Sequence, residues 1–172
     1  MGEKRIRLRA VRDEDSGLLF DWINDRELLV GNAPYRPTAQ EDHRNWFQGI
    51  TKREDLVLFV IDEIQTSRAI GSCQLLNIHR VHRSADLQIR IGERASQGRG
   101  LGSEAIARLV AFGFTDLNLH RIALQVFATN TRAIKAYEKN GFVHEGRLRE
   151  AVYVAGKRLD VLCMARLKTD DA

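Results

Sequence analysis

Apolar and polar residues alternate one by one at the start of the chain. Ile6, Leu8 and Ala10 are interleaved with Arg5, Arg7 and Arg9, the period of a strand with one buried face. The period then changes. Leu18, Leu19, Trp22 and Ile23 recur at helical spacing, with Asp13 placed to cap the helix. Thr38-Ala39-Gln40-Glu41 has the form of a capping box and predicts a further helix that buries Trp46 and Phe47. Runs at Leu56–Asp62 and Ala69–Leu76, joined by the polar turn Gln65-Thr66-Ser67, read as two strands, and Ala85–Ile91 reads as a third. A glycine-rich segment, Gln97–Gly102, follows. Beyond it Ala105, Ile106, Leu109, Val110 and Phe112 mark a helix from Ser103 to Phe114. Ile122, Leu124 and Val126 mark a strand; Ala133, Ile134 and Tyr137 mark a helix that Gly141 stops. Val143–Leu148, Ala151–Val154 and Arg158–Ala165 close the chain as strands, the last two linked by a turn at Ala155-Gly156. The sum is a mixed α/β sheet flanked by helices, without repeats or low-complexity segments.

Composition narrows this picture. The 172 residues suit one domain over 1–172, and 44% hydrophobic with 29% charged residues suits a protein able to bury a core. No apolar stretch approaches the roughly 20 residues of a membrane helix, and Met1–Arg5 starts no hydrophobic signal segment, so a cytoplasmic location is expected, with no membrane partner. Cys73 and Cys163 lie far apart without a CxxC partner, which predicts buried thiols in a reducing compartment. A net charge of +4 suits a polyanionic ligand, nucleic acid or phosphorylated cofactor, without choosing between them. No face interleaves aromatic and basic residues, so nucleic-acid binding is not expected.

Gln97-Gly98-Arg99-Gly100-Leu101-Gly102 lies between a predicted strand and a predicted helix. Glycines let the backbone approach an anion, the helix N-terminus offers unpaired N–H groups and a positive dipole end, and Arg99 adds a charge. The loop therefore has the makings of a pyrophosphate cradle. A dinucleotide fingerprint would need a third glycine at position 103, which is Ser103, and an acidic ribose partner in the region that holds Arg121–Phe127. A triphosphate P-loop would need Gly-Lys-Ser/Thr where the chain has Gly102-Ser103-Glu104. A tight turn without ligand also uses glycines.

A second constellation decides among these. Asn130 opens the segment Asn130-Thr131-Arg132-Ala133-Ile134-Lys135-Ala136-Tyr137-Glu138-Lys139-Asn140-Gly141-Phe142, so Tyr137 lies two turns along one helix face from it. Together with Gln97-x-x-Gly100-x-Gly102 upstream, this resembles the two cofactor motifs of the GNAT superfamily of acetyl-CoA-dependent N-acyltransferases. The resemblance runs from Ile6 to Leu167. It is nearest the subgroup of ribosomal-protein N-terminal and spermidine/diamine acetyltransferases, and Gly113–Leu119 and His79–Asp86 resemble the polyamine branch.

The resemblance implies a mostly antiparallel sheet splayed at a bulged strand, with helices on both faces. It implies acetyl-CoA as co-substrate and no metal. The amides of Gln97, Gly98, Arg99, Gly100, Leu101 and Gly102 would hold the CoA pyrophosphate, with the charges of Arg99, Arg132 and Lys135 supplementing them. Freed backbone groups of Ile89, Arg90 and Ile91 would bond the pantetheine arm like an added strand, and Asn130 would bond it from the helix side. Tyr137 would protonate the departing thiolate, and Asp86 would accept the proton of the attacking amine. Gln88 would share the Asp86 face by strand alternation.

Other marked residues read as structure. His79, Arg80, His82 and Arg83 make a basic loop; Asp13, Glu14, Asp15, Asp21, Asp25, Glu41 and Asp42 supply helix-start and surface charge. Two departures from the family pattern stand out. Gly92–Ser96 lacks the expected proline and aromatic before the glutamine, and Asn77 stands where a polyamine-acetylating relative would carry an acid. The acceptor is thus a small-molecule amine (polyamine, amino sugar or drug, amino acid) or a protein N-terminus, with room for a homo-oligomer. The competing reading is a non-catalytic, CoA-sensing interaction module.

Overall fold

The computed structural model describes residues 4–171, with the Asp171 side chain outside the description. Seven strands form one sheet: β1 (Ile6–Ala10), β2 (Val57–Glu63), β3 (Arg68–His79), β4 (Ser84–Ile91), β5 (Arg121–Phe127), β6 (Val143–Val154) and β7 (Lys157–Leu167). Their order is β1-β2-β3-β4-β5-β7-β6. Every neighbouring pair is antiparallel except β4 and β5, which run parallel. That parallel pairing is short. It joins Ser84–Asp86 to Arg121–Ala123 and then stops, so β4 and β5 diverge from Leu87 onward.

The expected splay is therefore present, but the register irregularity lies elsewhere. β4 pairs with β3 without a break from Leu76/Asp86 to Gly71/Ile91, and the shift falls between Leu76 and His79, in β3. Asn77 takes φ 53 there, a left-handed conformation that asparagine tolerates better than most residues. The bulge thus precedes the split instead of sitting inside it. The two short strands expected at the C-terminal end are one, β6, with a second register shift between Leu148 and Val152 and Glu150 at φ 50. The turn Ala155-Gly156 has positive φ at both residues, as a two-residue hairpin requires.

Helices cover both faces. α4 (Leu101–Thr115) and α5 (Thr131–Lys139) pack on one, where Leu101, Ala105, Leu109 and Tyr137 join Ile61, Leu75, Leu87, Ile122 and Met164 in the main core. α1 (Asp15–Asn24), α2 (Arg26–Leu29) and α3 (Gln40–Gly49) supply a smaller cluster around Leu19, Trp22 and Leu28, with Leu58 and Ala69 from the sheet. Alternation along β2 divides Leu58 from Phe59 and Ile61 between the two.

Helix starts depart from the sequence reading. Asp13 does not cap α1. Asp15 instead bonds the Arg12 N–H at 2.7 Å and receives both terminal nitrogens of Arg9, whose Nε bonds Asp62 at 2.8 Å. Burial pushes the Asp15 carboxyl up, but the bonds from Arg9 and Arg12 outweigh it and leave it lowered. No side chain caps α3, because the N-cap position falls to Ala39; Thr38, one residue earlier, has its N–H bonded to Asn24 Oδ1 at 2.8 Å. α2 was not expected; Asp25 caps it by accepting from Leu28 N–H. Within α3 the buried side chain is His43, not Trp46, which is 41% exposed.

Candidate active site

The divergence of β4 from β5 opens a groove of about 660 Å³. Its walls are Ile89–Ile91 of β4, the loop Gln97–Gly98, the first turn of α4, and Thr129–Tyr137 of α5, with Leu28, Gly31 and Asn32 closing one end. At the base, Gly98 and Gly100 take φ 74 and 79, left-handed values that glycine adopts without a Cβ penalty. No side chain caps α4, and its first backbone bond runs from Glu104 N–H to Gly100 C=O. The N–H groups of Leu101, Gly102 and Ser103 are therefore unpaired at the groove floor, a built anion cradle. A Cβ at Gly102 would make only ordinary contact, 3.4 Å from Ile91 Cγ1.

Arg132 and Lys135 project from α5 into the same groove and add positive charge over the cradle. Gln97 stitches its two walls together. Its Nε2 donates to Ile91 C=O at 3.0 Å, and its Oε1 accepts from Arg132 at 3.0 Å. Ile91 C=O accordingly faces the split, whereas Gly92 N–H bonds Ile70 C=O on β3. Alternation turns the N–H and C=O of Ile89 and Ile91 toward the split and those of Arg90 toward β3. Arg90 is thus removed from the backbone set expected to meet a bound arm, and Ile91 keeps its N–H but shares its C=O with Gln97.

Arg99 is not in the groove. Its guanidinium pairs with buried Glu63 at 2.7 Å and its carbonyl accepts from Arg5 at 2.9 Å, so it fastens the loop to the β1–β2 edge. The Leu101 side chain is 1% exposed and belongs to the core; only its backbone faces the cradle. Asn130 lines the groove with a committed amide. Oδ1 caps α5 through Ala133 N–H at 3.2 Å, and Nδ2 donates to Gly31 C=O and Asn32 Oδ1, each at 3.0 Å. It acts as a clamp between α5 and the segment after α2.

Tyr137 projects into the groove two turns beyond Asn130, as the helix spacing requires. It is 7% exposed, and its ring meets Phe142 edge-on at 5.8 Å between centroids. The hydroxyl has no hydrogen-bond partner among the described residues. Burial pushes its pKa up to about 12, so it holds its proton across the neutral and alkaline range.

Asp86 lines neither this groove nor the cavity described next. Its Oδ2 accepts from Asn77 Nδ2 at 2.8 Å across the bulge, and its charge adds to that of Glu145 in holding the Arg121 guanidinium charged. Its place just ahead of the split makes it a strap at the last β4–β5 pair. The proton acceptor expected from sequence therefore stands outside the lining of both spaces, bonded to Asn77.

A second cavity, about 300 Å³, lies on the opposite face of β4 under α1 and α3. It is lined by Leu19, Ile23 and Trp46, by Ser72, Gln74, Gln88 and Arg90, and by Asp42 and His43. The two spaces share Ile89 and Arg90, so they meet along β4. Gln74 and Gln88 bond each other at 2.7 Å on its floor. His43 is 5% exposed, with Nε2 at 3.0 Å from Ser16 C=O. A carbonyl only accepts, so Nε2 carries the proton and Nδ1 the lone pair. No motif marks His43 along the chain; a histidine next to an acid on an amphipathic helix is an ordinary pattern, and only the fold brings it to a cavity. Among the described residues no group of three or more metal-ligating side chains is present.

Comparison with known proteins bears on this arrangement. The model of the acetyltransferase (GNAT) domain matches residues 5–143. A spermidine N(1)-acetyltransferase of Vibrio cholerae is 40% identical over 169 residues, covering 96% of this chain and 94% of the relative. An aminoglycoside N(6')-acetyltransferase type 1 of Klebsiella pneumoniae is 25% identical over 82% of this chain and 75% of its own length. The crystal structure of V. cholerae spermidine N-acetyltransferase in complex with CoA and spermine superposes with a TM-score of 0.89 at 30% identity, covering 98% of each chain. The free amides of the glycine loop, the added charge of Arg132 and Lys135 and the open edge of β4 form a donor set that fits CoA. The chain belongs to the GNAT acetyltransferase family and is an N-acetyltransferase that uses acetyl-CoA.

Proposed function

We propose that this enzyme moves acetyl from acetyl-CoA to a primary amine of a small molecule by direct attack in a ternary complex. The donor occupies the groove and the acceptor the second cavity. One observation carries the reading: the two spaces meet along β4 at Ile89 and Arg90, so a nucleophile and a thioester can face each other across one strand. That the V. cholerae and K. pneumoniae relatives are named for amine acetylation supports the acceptor class.

The chain's own groups then have separate tasks. Cradle amides and the Arg132 and Lys135 charges fix the phosphates, and the split-facing backbone of β4 aligns the arm behind them. A free N–H on that edge also donates to the carbonyl oxygen as negative charge develops on it. Tyr137 gives its proton to the departing sulfur. Its raised pKa keeps the acid loaded, while the proton goes over as thiolate charge builds in a nearly dry site.

The amine poses the opposite problem. An alkylamine with pKa near 10.4 is neutral in about one part in a thousand at pH 7, a cost of about 4 kcal/mol. Asp42 and His43 are the titratable proton acceptors that line the second cavity, and His43 has the fixed orientation. It takes the role expected of Asp86.

Incubation with acetyl-CoA and an amine panel, following free thiol, tests the reading. Substrate-dependent thiol release that falls roughly 10²- to 10⁴-fold in Tyr137→Phe is the expected result. Cofactor binding without turnover on any amine would instead favour the CoA-sensing module.

A further inference from the structure

Arg90 separates the two spaces, lines both, and has no partner. Its guanidinium makes no hydrogen bond or ion pair with any described residue, although it is mostly covered by protein. Arginines elsewhere near the sheet are matched: Arg9 with Asp15 and Asp62, Arg99 with Glu63, Arg108 with Glu104. A guanidinium largely covered by protein without a counter-charge is costly, and this partial burial alone pulls Arg90 below its usual range. Such a side chain is stabilised when an anion reaches it.

The groups around it do not supply one. In the second cavity Gln74 and Gln88 are neutral amides bonded to each other, Ser72 and Thr38 are hydroxyls, and His43 is tied to Ser16. Asp42 is the sole carboxylate of that lining; it is exposed, and no bond joins it to Arg90. On the groove side Arg94, Arg132, Lys135 and Lys139 are cationic, and Glu27 is already bonded to Arg94 at 2.6 Å. A polycation entering the second cavity would meet one carboxylate at the rim and an uncompensated guanidinium inside.

We propose that Arg90 receives an anionic group of the acceptor, so that the preferred substrate is a primary amine that also carries a carboxylate or a phosphate. This rests on the assignment of the second cavity to the acceptor. Bidentate pairing of the guanidinium with either oxyanion supplies the missing counter-charge and orients the amine relative to β4. The relative from V. cholerae, named for spermidine, would differ from this chain in the sign of charge its acceptor brings.

Matched acceptors test the proposal: n-alkylamines, α,ω-diamines, ω-amino acids and ω-aminoalkyl phosphates of two to six carbons, with spermidine and the pair glucosamine and glucosamine 6-phosphate. With the wild-type enzyme, kcat/KM for the better anionic series is expected to exceed that of the length-matched alkylamine roughly 10- to 100-fold. Comparing the amino-acid and phosphate series tells which oxyanion is used. Arg90→Gln is expected to collapse the anionic-to-neutral ratio toward one, and Arg90→Lys to retain part of it. Spermidine or a diamine outperforming every anionic acceptor, or an unchanged ratio in Arg90→Gln, overturns the proposal. A ratio preserved while the acetyl-CoA KM rises equally for all acceptors assigns Arg90 to the donor and also overturns it. Absence of thiol release with every compound is a different failure, that of the acetyltransfer reading itself.

Discussion

Tyr137 and His43 line the spaces on opposite sides of β4, and in the proposed reaction one would serve the leaving group and the other the nucleophile, with opposite protonation demands. With burial pushing Tyr137 up to about 12, its phenol stays protonated through neutral pH and up to pH 10. The rate should therefore show no alkaline decline between pH 8 and 10 from loss of this acid, which a pH profile at saturating acetyl-CoA would reveal. Tyr137→Phe keeps the edge-on contact with Phe142 and removes only the hydroxyl, so kcat should fall while the acetyl-CoA KM changes little. For His43, the expected signature is in the other limb. If its Nδ1 takes the amine proton, His43→Gln should lower kcat/KM about 10²-fold near pH 7 and leave a rate that tracks the free-amine fraction. Because His43 packs against Phe20, Trp46 and Phe47, a thermal melt must accompany the measurement. A variant that melts like wild type yet keeps the wild-type profile would remove His43 from the mechanism.

At the scale of elements, the glycine loop is where sequence and structure agree most closely. Gly98 and Gly100 need positive φ, a backbone constraint that a residue string can express. Gly98→Ala meets no atom within 4 Å, so its penalty is conformational alone, about 1–2 kcal/mol for a left-handed alanine. That strain should appear as a roughly 5- to 30-fold higher acetyl-CoA KM with kcat nearly kept, measured by initial rates. Helix and strand periods were legible for the same reason, since Ile6/Leu8/Ala10 and Ala105/Leu109/Phe112 each express one buried face. What escaped depended on partners remote in sequence. Arg99 reads as a cradle charge because nothing local says that Glu63 will take it. Thr38 reads as a cap, yet the helix takes Ala39 as its N-cap, and Asn24, 14 residues earlier, holds the Thr38 N–H. Asp86 was placed on the correct strand, but its orientation toward Asn77 follows from a bulge in the neighbouring strand. Asn130 and Tyr137 were legible because their relation is internal to one helix.

Across the whole molecule, the sheet is held at its centre by only three residue pairs of β4 and β5, and the groove is the gap that remains. Few connections cross the mouth of that gap: Gln97 joins Ile91 to Arg132, Asn140 reaches Ser103 at 2.9 Å, and Asn130 reaches Gly31 and Asn32. A CoA bound along the open edge of β4 would add contacts to both halves at once, which makes ligand occupancy a stability term. At 100 times Kd, exclusive binding to the folded state adds about 2.7 kcal/mol. For a chain of this size each kcal/mol shifts the midpoint by about 2–4 °C, so saturating CoA should raise Tm by about 5–11 °C. The same binding should slow amide exchange at Ile89 and Ile91, whose N–H groups face the split, more than at Arg90, whose N–H faces β3. Asn130→Ala removes the two donated bonds of the clamp and the one accepted from Ala133 N–H, so it should lower the apo midpoint and enlarge the CoA-induced shift only if the ligand restores the same closure. A CoA-induced rise of Tm without selective protection on β4 would mean that the cofactor is gripped at the glycine loop alone and that the strand edge does not receive its arm.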